Sequence, residues 1–296
     1  MNNTKIFFYF EKILFSPTRF DFIPIILLSP FSVIYCIVTF FNALRKHIFQ
    51  KKFSAKIIGI GNLVLGGTGK TPLTIALAKN ETNIAIILRG YGRDSKGLVL
   101  VSKNGKILVN ISESGDEAFL YAEQIPKSTI IVSENREIGI LKAQELGHSL
   151  IFLDDSYRQH QIYKDVEYLI LDKSQNYFCI PAGAYREKLW FFKKNIKIVR
   201  ENIDFWREVK IENPTEKMVL ITAISKPHRL NKYISENIPK YIFPDHYKFQ
   251  RDEIEKILKN ENATSILTTE KDFVKLKSFK FNISLIKLDI KLKKGF

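Results

Sequence analysis

The chain has 296 residues, enough for one large hydrophobic core or two modest ones, so two domains are expected. With 45% hydrophobic and 26% charged residues and a mean hydropathy of −0.08, the composition excludes a disordered chain, and two cysteines exclude a disulfide framework. A formal net charge of +15 favours an acidic partner, such as nucleic acid, anionic lipid or a phosphorylated substrate.

The first predicted element is the apolar stretch 22–41, which carries no charge. It is about long enough to span a bilayer as a helix. Because Pro24 and Pro30 interrupt it, we expect a broken helix whose second segment opens at Ser29-Pro30 and lies in the membrane interface. A cluster of cations that follows would face anionic headgroups: Arg45, Lys46, Lys51 and Lys52. A helix buried against the protein's own core and a single spanning anchor are the alternatives.

From residue 56 onward, short apolar runs alternate with stretches of helical spacing. The predicted strands are KIIGIGN, NIAIILRG, STIIVSEN, SLIFLDD and EYLILDK. The predicted helices between them are TPLTIALAKN, GDEAFLYAEQI and REIGILKAQELG. Such alternation predicts a mostly parallel sheet covered on both faces, an α/β fold.

The rhythm changes near residues 180–215, where we place a domain boundary, with a loop at 212–217. A second set of predicted strands follows: MVLITAIS, PKYIFPDH, TSILTTEK and ISLIKLDIKL. They surround one predicted helix, RDEIEKILKN. The stretch TEKD (269–272) is best interpreted as a strand-to-helix turn, with a nucleotide or substrate contact as the alternative.

The stretch GGTGKT between a predicted strand and a predicted helix is typical of a phosphate-binding loop (P-loop). Its residues are Gly66, Gly67, Thr68, Gly69, Lys70 and Thr71. The glycines let backbone N–H groups turn toward a polyphosphate, the lysine reaches the β- and γ-phosphates, and the threonine hydroxyl binds Mg²⁺. Val64 stands where the first glycine of this motif is usual. A glycine turn with a chance Lys-Thr is the alternative.

Acidic and basic side chains at later strand and helix ends supply candidates for phosphoryl transfer. Asp154 and Asp155 directly follow an apolar run, where carboxylates hold Mg²⁺ or orient a nucleophile. The candidates for a base and for cations that stabilise the transferred charge are Asp116, Glu117, His246 and Arg136. Each has a structural alternative: a helix cap, a strand-end turn or a surface histidine.

Several segments, in this order, resemble the tetraacyldisaccharide 4′-kinase (lipid A 4′-kinase) family. They are GNLVLGGTGKTP, LRGYGR, SGDEAFLYA, LDDSYRQHQIYKD, PAGAYRE, FPDHYKF and TEKDFVKL. LLSPFSVIY with the basic cluster resembles the family's membrane-facing segment. The resemblance covers roughly residues 20 to 280.

The resemblance implies transfer of the γ-phosphate of ATP, with Mg²⁺, to the 4′-hydroxyl of tetraacyldisaccharide 1-phosphate, giving lipid IV-A. It implies that the protein acts at the cytoplasmic face of the inner membrane of a Gram-negative bacterium. The expected partners are the lipid substrate and an anionic membrane surface, and neither nucleic acid nor an obligate protein partner is expected. The implied fold is two α/β/α domains, the first a P-loop NTPase-like ATP domain. We therefore expect a membrane-associated helical segment at 1–55, the ATP-binding kinase domain at 56–200 and a smaller domain at 201–296 that closes over the site.

The family's motifs assign roles position by position. Asp116 matches the catalytic base and His246 its partner, with Lys70 and Asp154 as further catalytic residues. Metal ligands would be Thr71, Asp155 and Glu117. The positions near phosphate and sugar are Arg136, Arg186 and Glu187. Ser156 replaces a glycine and Gln159 a histidine, with His160 one place late, so no role is transferred to Gln159 or His160.

Two other classes of protein share some of these features. A membrane-associated sorting ATPase with a deviant P-loop carries a lysine before the two glycines, where this chain has Leu65. A basic nucleic-acid ATPase would need a recognition helix or an aromatic-basic platform, whereas the lysines here are dispersed. A scaffold without activity is disfavoured because all the proposed chemical residues are present.

Overall fold

The computed structural model describes residues 12–171 and 174–296. The start of the predicted membrane segment, residues 1–11, and the end of the predicted strand EYLILDK, Asp172 and Lys173, lie outside the described residues. The chain divides into two compact units. The first comprises Met1–Thr68 and Asp155–Arg200, and the second comprises Gly69–Asp154 and Glu201–Phe296.

Residues 12–15 are helical, and the helices that follow are α1 (Phe22–Ile48), α2 (Lys70–Ala78), α3 (Ile111–Ser114), α4 (Asp116–Gln124), α5 (Arg136–Glu145), α6 (Arg251–Asn260) and α7 (Glu270–Leu276). Short 3₁₀ turns cover Arg19–Asp21, Pro227–Lys232 and Lys277–Phe279. The strands are β1 (Lys56–Asn62), β2 (Ile84–Leu88), β3 (Val99–Lys103), β4 (Lys106–Ile107), β5 (Thr129–Val132), β6 (Leu150–Asp154), β7 (Val166–Ile170), β8 (Ile196–Val199), β9 (Phe205–Glu212), β10 (Met218–Thr222), β11 (Lys240–Ile242), β12 (Ser265–Thr269) and β13 (Ile283–Leu292).

Helix α1 runs without a break through Pro30, so the prediction of a broken helix at Ser29-Pro30 is wrong. Proline has no N–H to donate to the carbonyl four residues earlier, which is that of Ile26. The Ser29 hydroxyl donates to this same carbonyl oxygen at 2.8 Å and replaces the missing donor. Pro24 lies in the first turn of α1, where no intrahelical N–H bond is made.

Only a narrow stripe of α1 is buried, and the rest of its surface is apolar and exposed. The buried residues recur at helical spacing: Ile25, Ser32, Thr39 and Ala43. The 18-residue window of highest mean hydropathy, 2.2, within Arg19–Ile48 is 17% buried. By length and composition this helix is able to cross a membrane, a test that a core helix or a signal sequence also passes.

The first unit contains α1 and the parallel strands β1, β7 and β8, in the order β1-β7-β8. In the register of the first pair, Ile58 lies opposite Val166. Strands β1 and β7 are buried along most of their length, as expected for parallel strands.

The second unit contains strands in the order β4-β3-β5-β2-β6, with β2 parallel to β5 and to β6. All five residues of β2 are buried, which explains its uninterrupted apolar sequence. Strands β3 and β4 are antiparallel additions, and β3 shifts register between Leu100 and Ser102.

A second sheet of the same unit has the order β11-β10-β12-β13-β9. Its strands are parallel except β9, which pairs antiparallel with β13 and places Arg207 opposite Ile290. A cluster of buried side chains from β10, β12, α6 and α7 forms its core: Val219, Ile221, Ile254, Ile257, Ile266 and Leu276.

The structure confirms the predicted α/β class, with the P-loop NTPase-like arrangement of strands and helices and an apolar N-terminal helix. The sequence interpretation missed β3, β4, β8, β9 and α3. Charged residues interrupt β8 and β9, and β4 has only two residues. These segments therefore show no clear run or alternation of apolar residues that would predict a strand. The predicted domain limits at residues 55 and 200 stay a prediction.

Candidate active site

The P-loop leads directly into α2. Gly66 and Gly69 adopt φ of 80° and 95°, in the left-handed region where side chains are strained. Helix α2 begins at Lys70, and the N–H of Leu73 bonds to the carbonyl of Gly69 at 3.2 Å. Pro72 is in the first turn of the helix, where it removes no hydrogen bond. The positive end of α2 therefore coincides with the glycine-rich turn, as anion binding requires.

Position 64 does not require a glycine, because Val64 is extended and buried. It forms a bridge with Tyr185, and its carbonyl accepts a hydrogen bond from Asn62 Nδ2 at 2.8 Å. The next residue, Leu65, donates its N–H to the carbonyl of Ala184 at 2.9 Å. This part of the first unit is thus held as a short extended segment before the turn.

Asp116 and His246 lie together in the second unit. Asp116 opens α4, and its Oδ2 is 3.2 Å from His246 Nδ1. His246 has a φ of 61°, a conformation that histidine adopts more readily than most residues. The ring of Tyr91 lies 4.9 Å from the His246 imidazole, and Gly92 also lies beside the imidazole.

Two lysines of α7 surround this pair, and sequence reasoning assigned neither of them a role. Lys275 Nζ is 3.4 Å from Asp116 Oδ2 and 2.8 Å from Asp272 Oδ1, with 8% of its side chain exposed. Lys271 Nζ is 3.5 Å from Glu117 Oε1 and 3.2 Å from Asp245 Oδ1. The short segment TEKDFVKL therefore brings two cations to the acidic start of α4.

The TEKD turn itself is confirmed as a strand-to-helix turn. Thr269 caps α7 by accepting the N–H of Asp272, whose carboxylate is fully buried. That carboxylate accepts hydrogen bonds from Thr222 Oγ1 at 2.7 Å and from the N–H of Ala223 at 3.0 Å. A fixed Asp272 in turn fixes Lys275 one helical turn later.

The charges around Asp116 favour its ionised form. Burial raises the pKa of Asp116, but the His246 hydrogen bond and the Lys275 and Lys271 charges outweigh it, so the pKa lies below its ordinary value. The position at the start of α4 acts in the same direction. Burial lowers the pKa of Lys271, whereas Glu117, Asp245 and Asp116 together raise it above the ordinary range. Asp116 is therefore a carboxylate at neutral pH.

Asp154, at the end of β6, is buried in the second unit. Its Oδ2 accepts a hydrogen bond from the Tyr121 hydroxyl at 2.9 Å. Burial, followed by the Asp154 charge, holds the pKa of Tyr121 well above its usual value, so the phenol remains a donor. The contact orients the Asp154 carboxylate from α4.

Asp155, in the first unit, adopts a φ of 48° at the end of the strand, which aspartate tolerates. Arg186 holds its carboxylate, with Nη2 3.0 Å from Oδ1 and Nη1 3.4 Å from Oδ2. The same Nη2 donates to Asn62 Oδ1 at 2.7 Å. The Tyr35 hydroxyl of α1 donates to the Arg186 carbonyl at 3.1 Å, so the apolar helix contacts the segment that carries this arginine.

Glu187 is buried and pairs with His160, which sequence reasoning had left without a role. Its Oε2 is 2.7 Å from His160 Nε2, and its Oε1 is 3.5 Å from Arg158 Nε. Burial lowers the pKa of His160, and the Glu187 carboxylate partly opposes this. An acidic residue twenty-odd positions after a histidine gives no local signal, so only the fold reveals the pair.

Ser156, at the position where a glycine was expected, has a negative φ and is fully buried. Its N–H donates to the Ile60 carbonyl, and its hydroxyl donates to Glu167 Oε1 at 2.8 Å. The left-handed residue of this turn is Asp155 instead. A serine is therefore accommodated without backbone strain.

Arg136, at the start of α5 in the second unit, is 3% exposed. Its Nη1 donates to the Ser133 carbonyl at 2.6 Å. Thr68 of the P-loop is also buried, whereas Lys70 and Thr71 are partly exposed.

The second unit thus brings together Asp116, His246, Lys271, Lys275 and Glu117, and the first unit brings together Asp155, Arg186 and Asn62. Within residues 12–171 and 174–296, no group of three or more His, Cys, Asp or Glu side chains is placed to hold a metal.

Comparisons with known proteins agree on one family. The family model described as LpxK, tetraacyldisaccharide-1-P 4′-kinase, matches residues 25–208 and 193–296. The tetraacyldisaccharide 4′-kinase of Aliarcobacter butzleri is 46% identical, over 97% of this chain and 94% of that protein. Those of Helicobacter acinonychis and Campylobacter jejuni are 42% and 40% identical, over 96% and 99% of this chain and 91% and 95% of their own lengths.

Among solved structures, the crystal structure of LpxK from Aquifex aeolicus, described as an "apo" form in complex with ATP, is similar to this chain. The TM-score is 0.71 at 26% identity, and the alignment covers 91% of this chain and 95% of that one.

Proposed function

The chain belongs to the tetraacyldisaccharide-1-P 4′-kinase family, and from that membership we propose that it transfers the γ-phosphate of ATP to the 4′-hydroxyl of tetraacyldisaccharide 1-phosphate, giving lipid IV-A. As a kinase of this family, it binds ATP and acts in lipid A biosynthesis. The residue-level proposal rests on one observation, the 3.2 Å contact between Asp116 and His246 with Lys275 beside it.

Asp116 is the proposed base. The acceptor oxygen forms a bond to the γ-phosphorus while the bond from that phosphorus to the ADP oxygen breaks, and the hydroxyl proton passes to the Asp116 carboxylate. His246 Nδ1 holds Oδ2 of that carboxylate, which leaves Oδ1 for the proton. A carboxylate with a lowered pKa is ionised at neutral pH and thus ready to accept a proton, which supports this role.

The P-loop is the proposed ATP site, formed by Gly66, Gly67, Thr68, Gly69, Lys70 and Thr71. Backbone N–H groups at the start of α2 would bind phosphate oxygens, and Lys70 would offset the charge that develops on the transferred group. The left-handed φ angles of Gly66 and Gly69 support this arrangement, because they turn the chain tightly before the helix.

Mg²⁺ is the proposed metal, with Thr71, Glu117 and Asp155 as its candidate ligands. When bound, Mg²⁺ would offset the charge that develops on the transferred phosphoryl group. A hydroxyl and carboxylates are the hard oxygen donors that this cation prefers, so the donor set fits. Glu117 is held by Lys271 and Asp155 by Arg186, so each carboxylate is oriented by a cation beforehand. Asp154, oriented by Tyr121, is the proposed acidic partner near them.

Arg136, Arg186 and Glu187 are the proposed contacts to phosphate and sugar. Arg186 is the best supported of the three, since its guanidinium already binds a carboxylate in the way it would bind a phosphate. Arg136 and Glu187 are both nearly fully buried and stay proposed contacts on the family resemblance alone.

The membrane is the proposed location of the acceptor, at the cytoplasmic face of the inner membrane of a Gram-negative bacterium. Helix α1 exposes a run of large apolar side chains, among them Ile26, Leu27, Phe31, Ile34, Val38 and Phe41. Phe191, 86% exposed, extends this surface, because its ring lies 6.2 Å from that of Phe40 on α1. An exposed apolar patch of this kind marks an interaction surface, and acyl chains are apolar.

Phosphate transfer by the purified full chain in detergent micelles tests the proposal, with ATP and tetraacyldisaccharide 1-phosphate as substrates. Lys70→Ala and Asp116→Asn should each lower kcat by about 100-fold or more. Asp252→Asn is the matched control, because Asp252 is also acidic in a first helical turn but is exposed on α6. Transfer to another hydroxyl, or full activity of Asp116→Asn, would refute the proposal.

A further inference from the structure

Arg207 of β9 lies directly on the P-loop, although no motif includes it. A Cβ atom built on Gly69 would be 2.4 Å from Arg207 Nη2 and 3.2 Å from Cζ. A side chain at position 69 would therefore displace the guanidinium, the far end of a flexible side chain. The Arg207 side chain is packed against the main chain of the residue that immediately precedes Lys70.

The strand pairing determines where this arginine points. Along β9, Phe205, Arg207, Val209 and Ile211 alternate with more exposed neighbours, so Arg207 belongs to the face that is turned inward. The antiparallel register with β13 fixes this face, since a slip of one residue would reverse every side chain. Helix α2 packs on β13, which brings the end of the P-loop to the same face.

The charges around Arg207 favour an anion at this point. Its Nε is 3.2 Å from Glu201 Oε2, and 11% of its side chain is exposed. Lys232 lies 3.9 Å from the other oxygen of Glu201, so two cations share that single carboxylate. Lys70 adds a further cation one residue after Gly69. A partly buried group of cations gains most when a polyanion binds.

We propose that Arg207 contacts the polyphosphate of ATP bound to the P-loop, as a second cation beside Lys70. The inference rests on the proposed assignment of the P-loop to ATP. An arginine supplied by the same chain stabilises the charge on transferring phosphates in other nucleotide enzymes, through its planar set of N–H donors. An arginine that served Glu201 alone would leave ATP affinity unchanged when it is replaced.

Equilibrium binding of ATP and of ADP to the purified full chain in detergent, without lipid substrate, tests this inference. Arg207→Gln should weaken ATP binding about tenfold or more, because a charged hydrogen bond is lost. Arg207→Lys keeps the positive charge but loses the planar set of N–H donors. It should therefore bind ATP more weakly than the natural protein and more tightly than Arg207→Gln. Lys210→Ala, on the exposed face of the same strand, is the control and should leave affinity unchanged.

The comparison with Lys70→Ala separates the two hypotheses. If Lys70→Ala loses ATP affinity while both Arg207 variants, shown by their melting curves to be folded, bind like the natural protein, the Arg207 inference is overturned and the P-loop assignment stands. If Lys70→Ala binds ATP normally, the P-loop assignment itself fails. The inference is supported if ATP affinity falls from the natural protein to Arg207→Lys and again to Arg207→Gln, while Lys210→Ala binds ATP as tightly as the natural protein.

Discussion

His246 Nδ1 lies 3.2 Å from Asp116 Oδ2, and the two residues are 130 positions apart in the chain. Lys275 Nζ lies 3.4 Å from the same oxygen, so one carboxylate oxygen faces two nitrogen atoms from later parts of the sequence. This convergence keeps Asp116 ionised and fixes the direction of its second oxygen.

The pH dependence of turnover should depend on both neighbours of Asp116. The carboxyl pKa in the folded protein is depressed, so activity should be lost only as the pH falls through that low value. His246→Gln and Lys275→Met each remove a stabilising partner and should raise the pH at which the acid limb of kcat/KM falls. Rates measured between about pH 3 and pH 7 would reveal the shift, because an unperturbed carboxyl titrates near pH 4.

An exposed lysine of α6, Lys256, provides a control for the charge change in that experiment. Lys256→Met should leave the acid limb in place. An acid limb that is identical in Lys275→Met and the natural protein would show that Lys275 does not act on Asp116.

The Mg²⁺ requirement should distinguish Glu117 from Glu123, near the other end of the same helix. Glu117→Gln should raise the Mg²⁺ concentration for half-maximal turnover about tenfold, because a carboxylate ligand is lost. Glu123→Gln, near the other end of α4, removes a carboxylate that pairs with Lys277 and should leave that concentration unchanged. A titration of turnover with Mg²⁺ at fixed ATP measures both, and equal curves for the two variants would remove Glu117 from the ligand set.

The stability of the first unit should depend on a buried ion cluster. Glu167 pairs with Lys164 at 2.9 Å and with Lys193 at 2.8 Å, and all three side chains are nearly inaccessible. Glu167→Gln leaves two buried lysines without a carboxylate and should lower the free energy of unfolding by about 3–5 kcal/mol. Lys164→Met leaves the ion pair of Glu167 and Lys193 intact and should lower the free energy of unfolding by less. Urea unfolding of both variants would test the order, and a larger loss for Lys164→Met would contradict it.

The same cluster predicts how stability changes with pH. Although burial raises the pKa of Glu167, Lys164 and Lys193 lower it to about 2, from an ordinary 4.5. A depressed carboxyl pKa stabilises the fold above the unfolded value, and this contribution is lost as the pH falls from about 4.5 toward 2. Burial lowers the pKa of Lys164 to about 8, so stability should rise between about pH 8 and pH 10.5 as the unfolded chain retains the proton longer. Thermal melts across both windows, compared with Glu167→Gln, would measure the two slopes.

Membrane binding should depend on aromatic residues of α1 and of the neighbouring loop. Phe41→Ser and Phe191→Ser each remove an exposed phenyl ring and should weaken binding to anionic lipid vesicles roughly tenfold. Leu141→Ser, exposed on α5, is the control. Flotation with vesicles measures the bound fraction, and equal losses for all three variants would argue against a defined membrane surface.

The sequence predicted the strands of continuous apolar residues and the phosphate-binding turn, because these depend on local patterns. Strand β2 and helix α2 follow directly from such patterns. The proximity of Asp116 to His246 came from a family resemblance, since no spacing rule joins residues so far apart. Lys271 and Lys275 were missed because the interpretation of TEKD as a turn accounted for that segment by itself.

Two departures from the sequence expectations have a common physical cause. The continuity of α1 depends on the Ser29 hydroxyl, and the fit of Ser156 depends on its bond to Glu167. In the first instance the hydroxyl pairs a carbonyl that proline leaves without a donor, and in the second the buried hydroxyl finds an acceptor. Such substitutions of one donor for another cannot be read from hydrophobic periodicity.

The pairing of Lys193 with Glu167 links the core of the first unit to its surface. Lys193 directly follows Trp190, Phe191 and Phe192, whose rings lie 5.3–6.2 Å from that of Phe40 on α1. Glu167, a buried acidic residue of β7, therefore anchors the aromatic loop that flanks the apolar helix. A substitution of Glu167, although confined to the protein interior, would therefore disturb part of the exposed apolar surface that we propose to contact lipid.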